Sequence, residues 1–348
     1  MAYTEVLTDN GLTVEQWESG IFSEYLGQTF WSSMMGTSTN SVIQVKDDLM
    51  KGAGDAITIG LRSQLQGGKV TGNNKGIGNE GKIEFYNQRI VIDNVRHLIK
   101  FEDVPMTQQR TKFNVLNEGR EALVEKNKWD LEDAITSALT DTSLGRVQGR
   151  YLYGATDGNW DTDHATALAN VDDSADKLTT AMINIAKRKA LLPTNAEAKV
   201  RPMRVNTGEN VEEWFAFCAH TLAIRDLVDH DTVWKNAQLN LPPNGNKNSP
   251  LFTGSRFKGA YNGVLIYEYD GLPLIASTAQ VSHNLLLGAQ AGAVCWGQRS
   301  KFGEEESDIG HDISYETHEI RGISKLAFSR STVEDQGIVN VFSAAVAD

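Results

Sequence analysis

Two cysteines in 348 residues, Cys218 and Cys295, show neither a CxxC pair nor any metal-ligand spacing. That scarcity fits a reducing compartment and excludes a disulfide framework as the basis of the fold. No apolar run of about 18 residues occurs, so a conventional membrane-spanning helix is excluded. The first residues, MAYTEVLTDNGLTVEQW, are acidic where a secretory leader would be basic and apolar. Synthesis and folding in a cytoplasm are expected. The chain also lacks the short patterns that carry catalysis: there is no GxSxG, no GxxxxGK[ST] and no HExxH. His220, His230, His283, His311 and His318 never pair at metal spacing, and the acids of Glu212-Glu213 and Glu304-Glu305-Glu306 are neighbours in sequence that read as solvated. No catalytic, cofactor-binding or metal-ligating residue is therefore assigned, and no cofactor. Basic charge is also in deficit, 33 Lys and Arg against 45 acids, a formal charge of −12. Such a surface repels phosphate backbones, so sequence-specific nucleic-acid binding is not expected.

Length and a 40% hydrophobic content provide for a substantial core and two or three compact units. The stretch from Met106 to Thr140 organises the rest. It contains no proline, and Phe113, Leu116, Leu123, Trp129, Leu131, Ala134, Ile135 and Ala138 recur mostly three or four apart, the spacing of one helical face. Unbroken, such a helix would run ~50 Å at about 1.5 Å per residue. Gly119 is a candidate bend. A helix this long cannot bury its apolar face alone, so other segments must lie along it.

Residues 1 to 40 carry scattered aromatics (Tyr3, Trp17, Phe22, Tyr25, Phe30, Trp31) with modest helical periodicity from Val14, and read as an arm that packs on another body. Asn40 or Ser41 is placed to cap a short helix, SVIQVKDDLMK, ended by Gly52. Asp55 to Leu65 alternates like a strand, and Lys82 to Phe101 does so in two phases, which points to a bulge near Gln88 to Val91. Between them Gly67 to Gly81 holds six glycines and reads as a mobile tip. Residues 55–101 are therefore expected to form a long hairpin whose outer part has little core of its own.

Two motif matches fail on context. Gly76, Gly78 and Gly81 spell GxGxxG, but that dinucleotide fingerprint needs a strand before it and a helix after it, and strand-forming residues follow Gly81. Asp157, Asn159, Asp161 and Asp163 alternate as in a calcium loop. Thr162 stands where the loop needs glycine, and Leu168 where it needs glutamate. An acidic surface turn is the competing reading.

Further along, Asp176 to Ala190 is expected to be a helix, its Lys187, Arg188 and Lys189 matching the helix dipole rather than a nucleic-acid site. Val200 to Val205 reads as a strand, Val211 to Val228 as a helix, and Asn240 to Gly263 as a loop with Pro242, Pro243 and Pro250. Val264 to Ile275 suggests a hairpin about Asp270-Gly271, Gly303 to Gly310 an acidic turn, and Asp312 to Val346 three strands.

An apolar arm, a long hairpin, a very long helix and then a mixed region returning to a terminal strand form an order that resembles the Hong Kong 97-like major capsid proteins of tailed phages. Local sequence is similar to the type represented by coliphage N-four: Lys51-Gly-Ala-Gly-Asp55, Arg225-Asp-Leu, Trp234-Lys-Asn-Ala-Gln238, Pro250-Leu-Phe-Thr-Gly254, Gly259-Ala-Tyr-Asn-Gly263 with Val264-Leu-Ile-Tyr-Glu, Leu287-Gly-Ala-Gln-Ala291, Gly322-Ile-Ser-Lys325 and Asp335-Gln-Gly-Ile-Val339. The resemblance implies an α+β fold with an N-terminal arm (1–54), an extended β-hairpin loop (55–101), a peripheral domain (102–192) with its spine helix at 106–140, an axial domain (193–310) and closing C-terminal strands (311–348). It implies a non-enzymatic protein that assembles with itself, through hexamers and pentamers, into an icosahedral head shell around double-stranded DNA. Scaffolding, portal and cement proteins, and non-specific contact with packaged DNA, are the implied further partners. The location would be the virion, assembled in a bacterial cytoplasm. No crosslinking set of the kind some members carry is matched, and neither crosslinking nor N-terminal cleavage is inferred. Two rival classes are an encapsulin-like cellular shell and a metal-dependent enzyme using Asp157 to Asp163 or His311 and His318.

Overall fold

The computed structural model of the chain describes residues 30–51, 54–65, 67–110, 114–193, 198–207, 210–239, 256–330 and 332–347. The expected periodicity of Val14 to Trp31 lies outside them except for its last two residues. So do Gly52, Phe113 and residues 240–255 of the loop expected from Asn240 to Gly263, whose remaining part holds a strand, Phe257–Tyr261.

Two sheets share one core. The first, of five strands, runs β1 (Met35–Gly36), β2 (Ile43–Lys46), β13 (Gly292–Ser307), β14 (Asp312–Lys325) and β5 (Asp93–Phe101). The second runs β6 (Tyr151–Tyr153), β17 (Ile338–Ala344), β12 (Gln280–Leu287), β8 (Asn210–Ala219), β10 (Val264–Glu268) and β9 (Phe257–Tyr261), with β11 (Leu274–Ala276) on β12 and β7 (Met203–Thr207) on β8. Between the sheets Phe30, Trp31 and Ile43 meet Cys218, Leu285, Leu287, Val294 and Trp296. On the far side of the second sheet, α4 (Thr180–Leu191) and α5 (Thr221–His230) cover Phe215, Phe217, Ile266 and Val341. The short α3 (His164–Ala169) closes a third cluster on Tyr151, Tyr153 and Phe342, and α6 (Thr232–Leu239) follows α5.

The expected long helix is broken. α1 (Val104–Arg110) precedes α2 (Val115–Leu139), and the side chain of Asn114 caps α2 by accepting from the amides of Leu116 and Asn117 at 3.1 and 3.2 Å. At about 1.5 Å per residue α2 is ~38 Å long. The helix continues through Gly119. A Cβ there would lie 2.3 Å from Cζ of Phe101, so glycine lets the ring of β5 seat against the helix. The inward stripe is Leu123, Asn127, Leu131, Ile135 and Leu139, while Trp129, expected on that face, is 66% exposed.

Residues 55–101 divide in two. Among the described residues β3 (Ala56–Arg62) and β4 (Phe85–Val91) pair only with each other, whereas β5 pairs with β14. The two phases of alternation reflect this change of partner at Ile92, not a bulge within one ladder. The root of the hairpin has a core of its own chain: Ile57 and Ile90 pack with Ala293, Cys295, Leu326 and Phe328. Where the strands cross, a Cβ on Gly322 would fall 2.3 Å from the Val91 carbonyl oxygen, a contact only glycine permits.

Several other expectations need correction. Val211 to Val228 is strand β8 and then α5. β8 lies between β12 and β10, so Phe215 to Ala219 are buried on both faces and their unbroken apolar run imitates a helix. SVIQVKDDLMK holds strand β2 and only a 3-10 turn, Asp48–Lys51, because pairing with β13 outweighs local helical spacing. Glu304 to Glu306 belong to β13, and the turn shrinks to Asp308–Gly310. β10 and β11 do not pair with each other; the hairpin turn is Asn262-Gly263, between β9 and β10. α4 starts at Thr180, the strand expected at Val200 to Val205 is Met203–Thr207, and the C-terminal region has four strands, with β15 (Ala327–Ser329) and β16 (Val333–Asp335) added to β14 and β17. The boundaries 102–192 and 193–310 do not follow the sheets: α4 covers the second sheet, and β13 belongs to the first.

Candidate functional site

The residues first considered for chemistry are scattered and already engaged. Gly76, Gly78 and Gly81 lie in an exposed segment that leads into β4, and no described helix follows until Val104. Asp157 contacts the buried Lys189 at 2.6 Å, Asn159 donates to Asp176 at 3.1 Å, and Asp161 accepts from the amide of Asp163 at 2.7 Å. Asp163 in turn caps α3 through the Thr166 amide at 3.0 Å. The turn is thus held together by its own acids. His220 caps α5, His283 is buried against Asn340 at 2.8 Å, and His318 lies 3.0 Å from Gln298. His230 lies 3.1 Å from Lys177, and His311 lies 3.4 Å from Asp103. Burial pushes the His283 imidazole down to about 3, so it is neutral. Both cysteines are free and buried, and burial raises both thiols. Lys187 donates to the Asn262 carbonyl and Lys189 to that of Gln148 at 2.9 Å, structural roles both. Among the described residues no three His, Cys, Asp or Glu side chains gather as a metal site.

The exposed surfaces carry a clearer signal. β3 and β4 show solvent a face of Thr58, Gly60, Arg62, Phe85, Asn87, Arg89 and Val91, with Phe85 75% exposed. Beyond it Leu65, Val70 and Ile77 stand out from the tip, Ile77 at 88%. Arg62, Lys69, Lys75, Lys82 and Arg89 oppose only Glu80 and Glu84 between residues 56 and 91, so this projection is positive on a chain whose total is −12. The outward side of α2 has the opposite character: Glu118, Glu121, Glu125 and Asp133 are exposed along the helix that carries the exposed Trp129, against the bases Lys126 and Lys128. Arg120, on the same helix, turns inward instead. It lies over the ring of Tyr315 at 4.8 Å and reaches Glu304 at 3.3 Å.

A model of the phage capsid protein family matches residues 5–140 and 144–347. The chain belongs to the phage capsid protein family. Solved structures agree with the fold. A chain of the cyanophage Pam1 capsid asymmetric unit is 25% identical, with a TM-score of 0.80 over 93% of this chain and 94% of that one. The capsid of Ralstonia phage GP4 gives 22% identity and a TM-score of 0.74 over 92% of each chain, and the head of Helicobacter pylori bacteriophage KHP40 gives 15% and 0.71 over 91% and 92%. No curated protein matches the chain. The capsid protein has the Hong Kong 97-like fold that its order of parts resembles, it acts as a major capsid protein, and its place is the virion. These matches do not favour the encapsulin-like alternative. Among the described residues no helix is long and apolar enough to cross a membrane.

The site of a shell protein is its assembly surface. Residue spacing revealed the hairpin and the long helix but not their opposite charges, although the five bases within residues 62–89 are plain in the sequence once the strands are assigned.

Proposed function

We propose that the capsid protein assembles through hexamers and pentamers into an icosahedral shell around double-stranded DNA, with the β3–β4 hairpin of each subunit lying over α2 of the next. Residues 1–54 act as the arm, 55–91 as the extended loop, α2 with the five-stranded sheet as the peripheral domain, and the eight-stranded sheet with α4 and α5 as the axial domain. The observation that carries this reading is the pairing of opposites on one chain: a basic hairpin bearing exposed Phe85, Val91 and Ile77, and an acidic helix face bearing exposed Trp129. Identical copies can satisfy both surfaces head to tail. Apolar area covered on contact contributes roughly 25 cal/mol per Å², and repetition round a ring multiplies it. Charge guides the encounter and fixes the register. The protein has no catalytic role in this reading. Its DNA contact is non-specific and confined to the inner surface, and scaffold, portal and cement proteins are its further partners.

A photocrosslinking amino acid tests the contact. With Phe85→p-benzoylphenylalanine in assembled material, irradiation is expected to yield covalent dimers whose mapped attachment lies on Glu118 to Asp133 of a second subunit. Adducts confined to one chain would refute the arrangement.

A further inference from the structure

The interface between α2 and the first sheet is apolar at both ends and charged in the middle. Leu123 meets Ile313 and Tyr315 at one end, and Leu131, Ile135 and Leu139 enter the shared core at the other. Between them β14 buries Thr317, Glu319 and Arg321, and α2 answers with Asn127 and Asp130. Thr317 donates to Asn127 Oδ1 at 3.1 Å, while among the described residues the buried Asn127 Nδ2 has no hydrogen-bond partner. The charges that follow do not balance. Arg321 Nη1 lies 2.8 Å from Glu319 Oε1 while its Nη2 donates to Asp130 Oδ2, so one guanidinium serves two carboxylates. Glu319 is only 2% exposed, and among the described residues neither of its oxygens accepts a well-directed hydrogen bond. From β5, His97 faces Asp130 at 3.6 Å. From β13, Arg299 is turned to Asp47 at 2.8 Å and Ser300 is buried.

We propose that Glu319, Arg321, Asp130 and His97 form a proton-operated latch between α2 and its sheet, closed when Glu319 carries a proton. With Glu319 neutral, Arg321 serves Asp130 alone and the buried charges cancel. When Glu319 loses its proton to solvent, two carboxylates face one guanidinium in a water-poor interface, and α2 is held less firmly. Burial raises the Glu319 carboxyl to about 7, against the pull of Arg321 and with a further push from Asp130. Its folded value lies above the ordinary 4.5, so the folded state binds this proton more tightly than the open one. The stabilisation is present at low pH and is lost as pH rises through about 7.

Hydrogen exchange of the full-length chain, corrected for the intrinsic pH dependence of exchange, tests the latch. Protection of the α2 amides relative to the open state is expected to fall about tenfold between pH 6 and pH 8, the ratio that one titrating group centred near 7 produces. Glu319→Gln mimics the neutral acid and should keep the pH 6 protection at both. An equal loss in that variant, or no loss in the natural chain, overturns the proposal. Should Glu319→Gln fail to fold, Asp130→Asn removes the competing carboxylate and its push on Glu319 while burial remains, so the loss between pH 6 and pH 8 should shrink; an undiminished loss overturns the latch. An infrared band of a buried protonated carboxyl, present at pH 6, absent at pH 8 and missing from Glu319→Gln, is the direct signature, the variant separating it from the band of the buried Asp335. Its absence at pH 6 overturns the proposal independently of any effect on stability.

Discussion

Deleting Gly67 to Gly81 is expected to leave a folded chain that does not close shells. The excised segment contributes nothing to the buried clusters, and the hairpin root keeps Ile57 and Ile90 on Ala293, Cys295 and Phe328. The ends of the cut are adjacent: a Cβ on Gly67 would lie 2.8 Å from the Gly81 Cα, so the strands can be rejoined without separating β3 from β4. Far-ultraviolet circular dichroism and the thermal midpoint should therefore change little, since surface alterations away from the core stay within roughly ±0.5 kcal/mol. Particle yield by electron microscopy should collapse, because each ring loses Lys69, Lys75 and Ile77 from every contact at once. Normal shells from this variant would show that the tip is dispensable and that the head-to-tail contact is elsewhere.

The largest effect on stability is expected from Lys325→Met. Lys325 is 1% exposed, lies 2.9 Å from Asp335 Oδ1 and donates to the carbonyls of Asp141 and Leu144, the latter at 2.5 Å. Asp335, fully buried, also accepts from Asn340 Nδ2 at 3.1 Å, and Asn340 holds His283. This polar chain ties the end of β14 to the turn after α2 and to β16, β17 and β12. Removing the cation strands a buried carboxylate, which costs about 3–5 kcal/mol. Denaturant midpoints should show it, and Lys325→Met with Asp335→Asn should recover part of the loss, since both charges are then gone. Burial already raises the Asp335 carboxyl to about 6 against the pull of Lys325. Without Lys325 it rises further, the folded state takes up a proton, and the deficit should be smaller at pH 5 than at pH 8. A deficit that does not change with pH would mean that the lost lysine stem, not the stranded charge, carries the cost.

Local chemistry explains which parts of this fold were legible in the sequence. The alternation of Ile57, Ile59 and Leu61 and the glycines of the tip gave the hairpin because its exposed face follows a strand's own period. The helix was visible from Leu123, Leu131 and Ile135, but its start was not, because a single side chain, Asn114, decides it. β8 imitates a helix because a strand buried on both faces loses its period, and β2 departs from its local helical spacing because a parallel partner 249 residues away decides the conformation. The functional surface was harder still. Trp129 counted as a core residue by spacing, and only its position outside the Leu123 to Leu139 stripe exposes it among acids. The latch had no sequence signature, since Asp130, Glu319 and Arg321 meet through tertiary packing. Family resemblance supplied the purpose that neither composition nor motif could.

The central claim is that a subunit's hairpin belongs over its neighbour. Electron cryomicroscopy of the assembled full chain tests it most directly. Rings of six and five subunits, free or closed into shells, are expected, with the density of residues 67–81 crossing α2 of the adjacent subunit near Trp129. Rings or shells in which every hairpin lies against its own subunit, or a chain that stays monomeric at high concentration, would contradict it.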